Sequence, residues 1–462
     1  MSKVGILLAQ QKEIIMGKFF TKRKANIHQS YVFCIFVLFF LAFAFVPYAD
    51  SAILTHGPVV GGVTASQAKV FLRTDQEVSV KIEYGTNSDL SNSLMTTIFH
   101  TSTATNFTTI IPLTTLNPQT TYYLNIHVDG VPQFSSDYPS FKTFPATTGP
   151  QPFKFIILTD FTSQREIIFP TFINASHEEA DFVFIGGDFN HSNPTTLKEK
   201  RRMFKQLYSP KYSMEFNDFV DFILRRMPIV HHWDDHDSGA DNNDKTYPYW
   251  NRSYRVFKEY VPTYKLPSAP FGIWQYFRYA HVDFFVLDGR SQRDPDIDPD
   301  DTNKSMLDGN NLGINGQLEW LKQGLLNSTA RWKIIFSSVV TNPTTKPKDS
   351  WGAFQTEWRN LRKFIQDNRI SGVVFISGDL HMGGIDNGTA SGFPEMVIPG
   401  PNLINKCCSS GSSPGNWSEG IYYNPSGSCN GYGVVTVLRN PDRLLLEVKD
   451  ENGNIRLSYL VY

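Results

Sequence analysis

The sequence has little cysteine, no surplus of either charge and one long apolar run. Of the 4 cysteines in 462 residues, Cys34 lies within that run, and Cys407, Cys408 and Cys429 share a Gly/Ser/Pro-rich loop. No further Cys or His stands close enough to complete a tetrahedral set, which excludes a soft thiolate metal site there. An oxidising compartment favours a single bridge, from Cys429 to Cys408 or Cys407. Lys plus Arg at 43 against Asp plus Glu at 44 leaves no basic footprint, so no nucleic-acid partner is expected and a nuclease gains no support. A hydrophobic content of 41% excludes a disordered chain. The length calls for at least two domains.

The apolar run, YVFCIFVLFFLAFAFV from Tyr31 to Val46, follows the basic flank KFFTKRKANIHQS and precedes small residues. That is the layout of a secretory signal peptide, with cleavage near Ser51 or Ala52. An uncleaved signal anchor is the alternative, because the leader ahead of the run is long and polar. Sequons at Asn106, Asn174, Asn190, Asn251, Asn303, Asn327, Asn387 and Asn416 suit the same route. The expected location is secreted or endolysosomal, with no stable membrane insertion once the signal is removed.

From Ile53 to Phe144 short alternating segments such as AKVFLRT and SVKIEYG are separated by turn residues, the pattern of an all-β sandwich over residues 52–145. The run LNPQTTYYLNIHV resembles the tyrosine corner of fibronectin type III-like domains, with Tyr122 or Tyr123 at the corner. After a Pro-rich linker the pattern changes. Apolar strands (FKFIILTD, ADFVFIGGD, MPIVHHWDD, VDFFVLDGR, WKIIFSSVV, SGVVFISGDLH) alternate with helical stretches such as NGQLEWLKQGLLNS. Residues 153–462 therefore read as an α/β sandwich, two central sheets flanked by helices.

The polar residues fall at strand ends. Asp160, Asp188, Asp235 with His236, Asp288 with Arg290, and Asp379 with His381 each follow an apolar strand. Any one of these aspartates is a good turn former or helix cap. Gathered at one sheet edge, where α/β folds bind ligands, they would repel one another unless cations neutralised them. The densest stretch is PIVHHWDDHDSGAD, and within it His231 and His232 sit before the strand end, where imidazoles serve packing or support. Tyr249, Trp250, Trp274 and Tyr276 read as packing aromatics rather than as the lining of a substrate cleft.

In order along the chain, TDF, GGDFNH, WDDHD, LDGR and SGDLH resemble the motifs of PhoD-like alkaline phosphatases, within the calcineurin-like metallophosphoesterases. The resemblance implies a secreted phosphoesterase hydrolysing phosphate mono- or diesters by a metal-activated hydroxide. It implies Asp188 as the carboxylate bridging two metals, Asp235 as a ligand, His236 as the catalytic histidine, and Asp379 with His381 as ligands. Arg290 would hold phosphate oxygens. Asp160 stands where the family carries Cys, and His191 where it carries Tyr, so the pair of ions could be Fe, Zn or Mn, with Ca possible. The alternative is a catalytically weakened, phosphatase-like extracellular binding or adhesion glycoprotein.

Overall fold

Buried parallel strands carry apolar residues on both faces, and the segments Phe153–Leu158, Phe182–Ile185 and Ile229–His231 do so almost without interruption. They lie side by side and parallel, with Leu158 level with Ile185, and Ile185 level with His231. The computed structural model describes residues 51–161, 170–208, 218–402, 407, 413–424, 426–427 and 429–462. The signal segment, Cys34 and Cys408 lie outside these residues.

These three strands form the centre of a nine-stranded sheet. On one side it continues through the antiparallel strands Gly431–Leu438, Arg443–Asp450 and Ile455–Val461. A second, seven-stranded sheet runs from the edge strand Gln275–Tyr279 through Val282–Val286, Trp332–Ser337 and Val373–Ser377. Its parallel strands are level too, Val286 opposite Phe336 and Ser337 opposite Ser377.

The two sheets pack face to face through aromatic side chains. Phe184 stacks on Phe336 with centroids 3.5 Å apart, and Phe155 meets Phe284 edge-on at 5.5 Å. Full burial of each such ring contributes roughly 1.5–3 kcal/mol. Outside the sandwich, the helix Leu197–Tyr208 buries Met203, Phe204, Leu207 and Tyr208, and Gln355–Asp367 buries Trp358, Leu361 and Ile365. The α/β sandwich expected for residues 153–462 is the observed architecture of that region.

The amino-terminal region differs from a self-contained sandwich. Leu54–Gly61, Gln67–Thr74 and Thr108–Thr114 extend the nine-stranded sheet, with Gly61 opposite Ile229 in parallel. A Cβ on Gly61 would come 2.3 Å from the Pro262 carbonyl oxygen, so only glycine allows this approach. The rest, including Ser79–Gly85 and Thr121–Val128, forms a separate six-stranded sheet. Tyr122, not Tyr123, makes the corner contact: its hydroxyl accepts from the Asn117 N–H at 2.9 Å. Ala52–Tyr462 is one compact unit, so the change of pattern between residues 145 and 153 is not a break in the fold.

The disulfide joins Cys407 to Cys429, with Cα atoms 5.4 Å apart. Cys408 is thereby removed as the partner. Of the sequons, Asn251, Asn303, Asn327, Asn387 and Asn416 are exposed, whereas Asn190 is buried and unsuited to carry a glycan.

Candidate metal centre

The level strand ends deliver their next residues to one place. Asp160 follows Phe153–Leu158, Asp188 follows Phe182–Ile185, Asp235 follows Ile229–His231, and Asp379 follows Val373–Ser377. The turns that carry them are tight. Asp160, Asp188, Asp379 and His381 have φ between 51° and 67°, in the left-handed region. Such backbone costs free energy and persists only where the surroundings impose it. Asp160 and Phe161 donate their N–H groups to the carbonyl oxygens of Gly187 and Asp188 at 3.1 and 2.7 Å, locking the first two turns together. Gly187 has no room for a side chain, since a Cβ would lie 2.7 Å from the Asp234 nitrogen.

Asp237 ties the next turn in. Its carboxylate accepts from the N–H groups of Asp188 at 2.6 Å, Phe189 at 3.0 Å and Asp234 at 3.2 Å. The short helix Asp235–Ser238 is thus pinned over the glycine-aspartate turn.

The result is a floor of buried carboxylates beneath a rim of imidazoles. Ligand atoms of Asp160, His191 and His381 lie within 4.8 Å of one another, as do those of Asp188, His191 and His236, and of Asp188, Asp234, Asp235 and Asp379. The rings of His191 and His236 are 4.5 Å apart, and those of His191 and His381 5.4 Å. Burial, with repulsion from Asp234, pushes the Asp160 carboxyl up to about 8. Burial and the neighbouring carboxylates push Asp188 well above the usual carboxylate range. Asp235 moves the other way: burial pushes it up, but Arg290, His236 and the Asn242 N–H together more than offset that.

Four buried atoms at this point make no hydrogen bond: Asp160 Oδ1, Asp188 Oδ2, Asp235 Oδ1 and His191 Nε2. His191 Nδ1 lies 2.9 Å from the Phe161 carbonyl oxygen. A carbonyl only accepts, so Nδ1 carries the proton and Nε2 presents a lone pair. Burial lowers His191 to about 4, which keeps it neutral. Buried lone pairs without donors are what a cation takes up, so this donor set fits metal ions, with oxygen and nitrogen ligands and no sulfur.

His236 is oriented by Asn193. Its Nδ1 lies 2.6 Å from Asn193 Oδ1, leaving Nε2 toward the exposed Asp241 at 3.5 Å. Asn193, Asp237, Lys346 and Asp349 belong to this network and were not singled out in the sequence. Asn193 had a usable signal, an Asn-Pro turn closely following the glycine-aspartate motif.

Arg290 does not reach the position expected of it. Its side chain is 0% exposed, and its guanidinium donates to both oxygens of Asp234 and both of Asp349. A guanidinium so enclosed cannot hold phosphate oxygens. Asp288 is also a brace rather than a ligand, accepting from Trp233 Nε1, Ser291 Oγ and the Ile273 N–H.

His231 is packed against Phe189, Phe204 and Phe257, and His232 spans the carbonyls of Leu287 and Gly186. Trp250 packs on Trp233 at 5.3 Å. Trp274 and Tyr276 line a surface groove with Trp320.

Residues 163–387, which hold all of these side chains except Asp160, match the family model described as PhoD-like phosphatase. The chain carries a PhoD-like phosphatase domain. Residues 51–145 match a second family model, described as a domain of unknown function. Among solved structures, one titled "Structure of PhoD" shares the fold with a TM-score of 0.69 and 18% identity, covering 90% of this chain and 91% of its own. A purple acid phosphatase from yellow lupin (Lupinus luteus) seeds shares it at 0.58 and 14%, covering 89% of this chain and 74% of its own. No curated protein matches the chain. No helix among the described residues is long and apolar enough to cross a membrane.

Proposed function

We propose that the PhoD-like domain is a metal-dependent phosphoesterase of the secretory route, acting on phosphate esters. The observation that carries the reading is the meeting of four buried ligand atoms that make no hydrogen bond, from Asp160, Asp188, His191 and Asp235, at one set of strand ends.

Asp160, Asp188, His191, Asp379 and His381 would hold one ion, and Asp188 with Asp235 the other, Asp188 serving both. Such a pair supplies positive charge against the phosphoryl group and lowers the pKa of a water close to it. The chain's own residues supply the rest. His236 sits on the rim with Nδ1–H donated to Asn193, so Nε2 is the atom able to carry a proton to the leaving oxygen. Asp241 Oδ1 lies 3.5 Å from Nε2, on the solvent side of the ring. The buried floor excludes water from the carboxylates, while the partly exposed imidazoles form the open side where an ester enters.

The test has two parts. Purified protein should contain about two equivalents of metal, as two-metal sites require, and should hydrolyse p-nitrophenyl phosphate or its bis-ester until a chelator is added. Metal-free protein that stays inactive after Zn, Mn, Fe or Ca is supplied would rule the reading out. Full activity in H236A would remove His236 from its role.

A further inference from the structure

With Arg290 enclosed, the site's network contains, among the described residues, one cation that reaches its surface. Lys346 lies in the loop after Trp332–Ser337, and its Nζ donates to Asp379 Oδ2 at 2.5 Å and to Asp349 Oδ2 at 2.8 Å. Its side chain is 14% exposed, close to the 15% of His381 and the 18% of His236, and its contact with Asp379 sets it beside the carboxylate floor. Arg290 and Arg293, which share Asp349 with it, are 0% exposed.

An ammonium has three N–H donors. Two are taken by Asp349 and Asp379, so one remains. The carboxylates fix where Nζ stands, and the loop is fixed in turn: Asn416 N–H donates to Thr344 Oγ1 at 2.8 Å, and Thr345 Oγ1 donates to the Ser413 carbonyl at 2.8 Å. Gly415 packs so closely that a Cβ would lie 2.8 Å from Thr345 Cβ.

We propose that Lys346 is a substrate-contacting residue, its remaining N–H meeting a non-bridging phosphoryl oxygen and tilting the site toward phosphomonoesters. The inference rests on the phosphoesterase reading. A monoester is a dianion near neutral pH and a diester a monoanion, so a further fixed positive charge beside the phosphoryl group favours the monoester by simple Coulomb attraction. The charge-assisted hydrogen bond adds to this.

The experiment compares kcat/KM for p-nitrophenyl phosphate and bis(p-nitrophenyl) phosphate in the metal-loaded wild type, K346M and K346R. Orthophosphate binding is followed alongside by titration calorimetry. Loss of a charged hydrogen bond to the phosphoryl group predicts that K346M loses about tenfold or more on the monoester and under about threefold on the diester, with orthophosphate weakened about tenfold. K346R, which keeps the charge, should keep the monoester preference. If K346M does not fold, K346Q removes the charge while keeping a donor, and the same ratio is read.

An unchanged ratio in a folded, metal-loaded neutral variant, or equal losses on both esters, overturns the assignment and leaves Lys346 as a brace for Asp379. A wild type that cleaves neither ester overturns the phosphoesterase reading instead, and this inference with it.

Discussion

Arg290 and Asp234 form a two-point ion pair in the interior, Nε donating to one carboxylate oxygen and Nη2 to the other at 2.9 Å. Both side chains are at most 2% exposed. Removing one partner of such a pair leaves a bare buried charge, at a cost of about 3–5 kcal/mol. R290M should therefore be less stable by that amount in a denaturant titration, and its folded fraction should show no selective rise in KM. A stable R290M with a raised KM would return Arg290 to phosphate binding.

Asn193 is expected to act through His236. Its carboxamide oxygen fixes which ring nitrogen is protonated, a task whose loss typically costs about ten- to a hundredfold in comparable supporting contacts. N193A should lower kcat on esters with poor leaving groups more than on nitrophenyl esters, which need no proton. Equal effects on both would mean that Asn193 only supports the loop.

Asp188 should be a stability liability when the site holds no metal. Burial and four neighbouring carboxylates raise its pKa, so at neutral pH the ionised group opposes folding. D188N should raise the unfolding midpoint of chelator-treated protein. The same variant should lose the further rise that metal gives the wild type. A chelated D188N less stable than the chelated wild type contradicts this.

His231 gives acid sensitivity. Burial in its aromatic cage lowers it to about 3, against 6.5 for an exposed histidine. The unfolded chain then binds the extra proton between these values, and stability falls as pH drops from about 6.5 toward 3. At pH 5 the loss relative to pH 7.5 is about 2 kcal/mol from this residue. H231F should narrow the gap between unfolding midpoints at the two pH values, and an unchanged gap would assign the sensitivity elsewhere.

The strand ends were legible because a parallel strand buried on both faces leaves an uninterrupted apolar run, and the Asp that stops it is visible by contrast. That placed Asp160, Asp188, Asp235 and Asp379 at one edge. The direction of a side chain is not written in such a pattern, so Arg290 read as open to substrate when it points inward. Asp349 and Lys346 were hidden for another reason. Their loop, TNPTTKPKDS, looks like any solvated turn, and tertiary contacts, with residues 413–416, Glu395, Arg290 and Arg293, bring its charges to the site. The parallel pairing of Gly61 with Ile229 is a long-range contact that no local periodicity encodes.

That pairing bears on how the gene can be divided. Cutting at the linker after residue 145 would strip the strand Leu54–Gly61 from Ile229–His231, the strand that leads into Asp235 and His236. It would also leave without partners the carbonyl of Lys205, which now meets His56, and the hydroxyl of Tyr260, which meets Asn106. A freshly exposed, apolar strand edge is a template for aggregation. The amino-terminal region is thus a permanent lining of the phosphatase half, and expression of that half alone should yield inclusion bodies rather than a smaller enzyme.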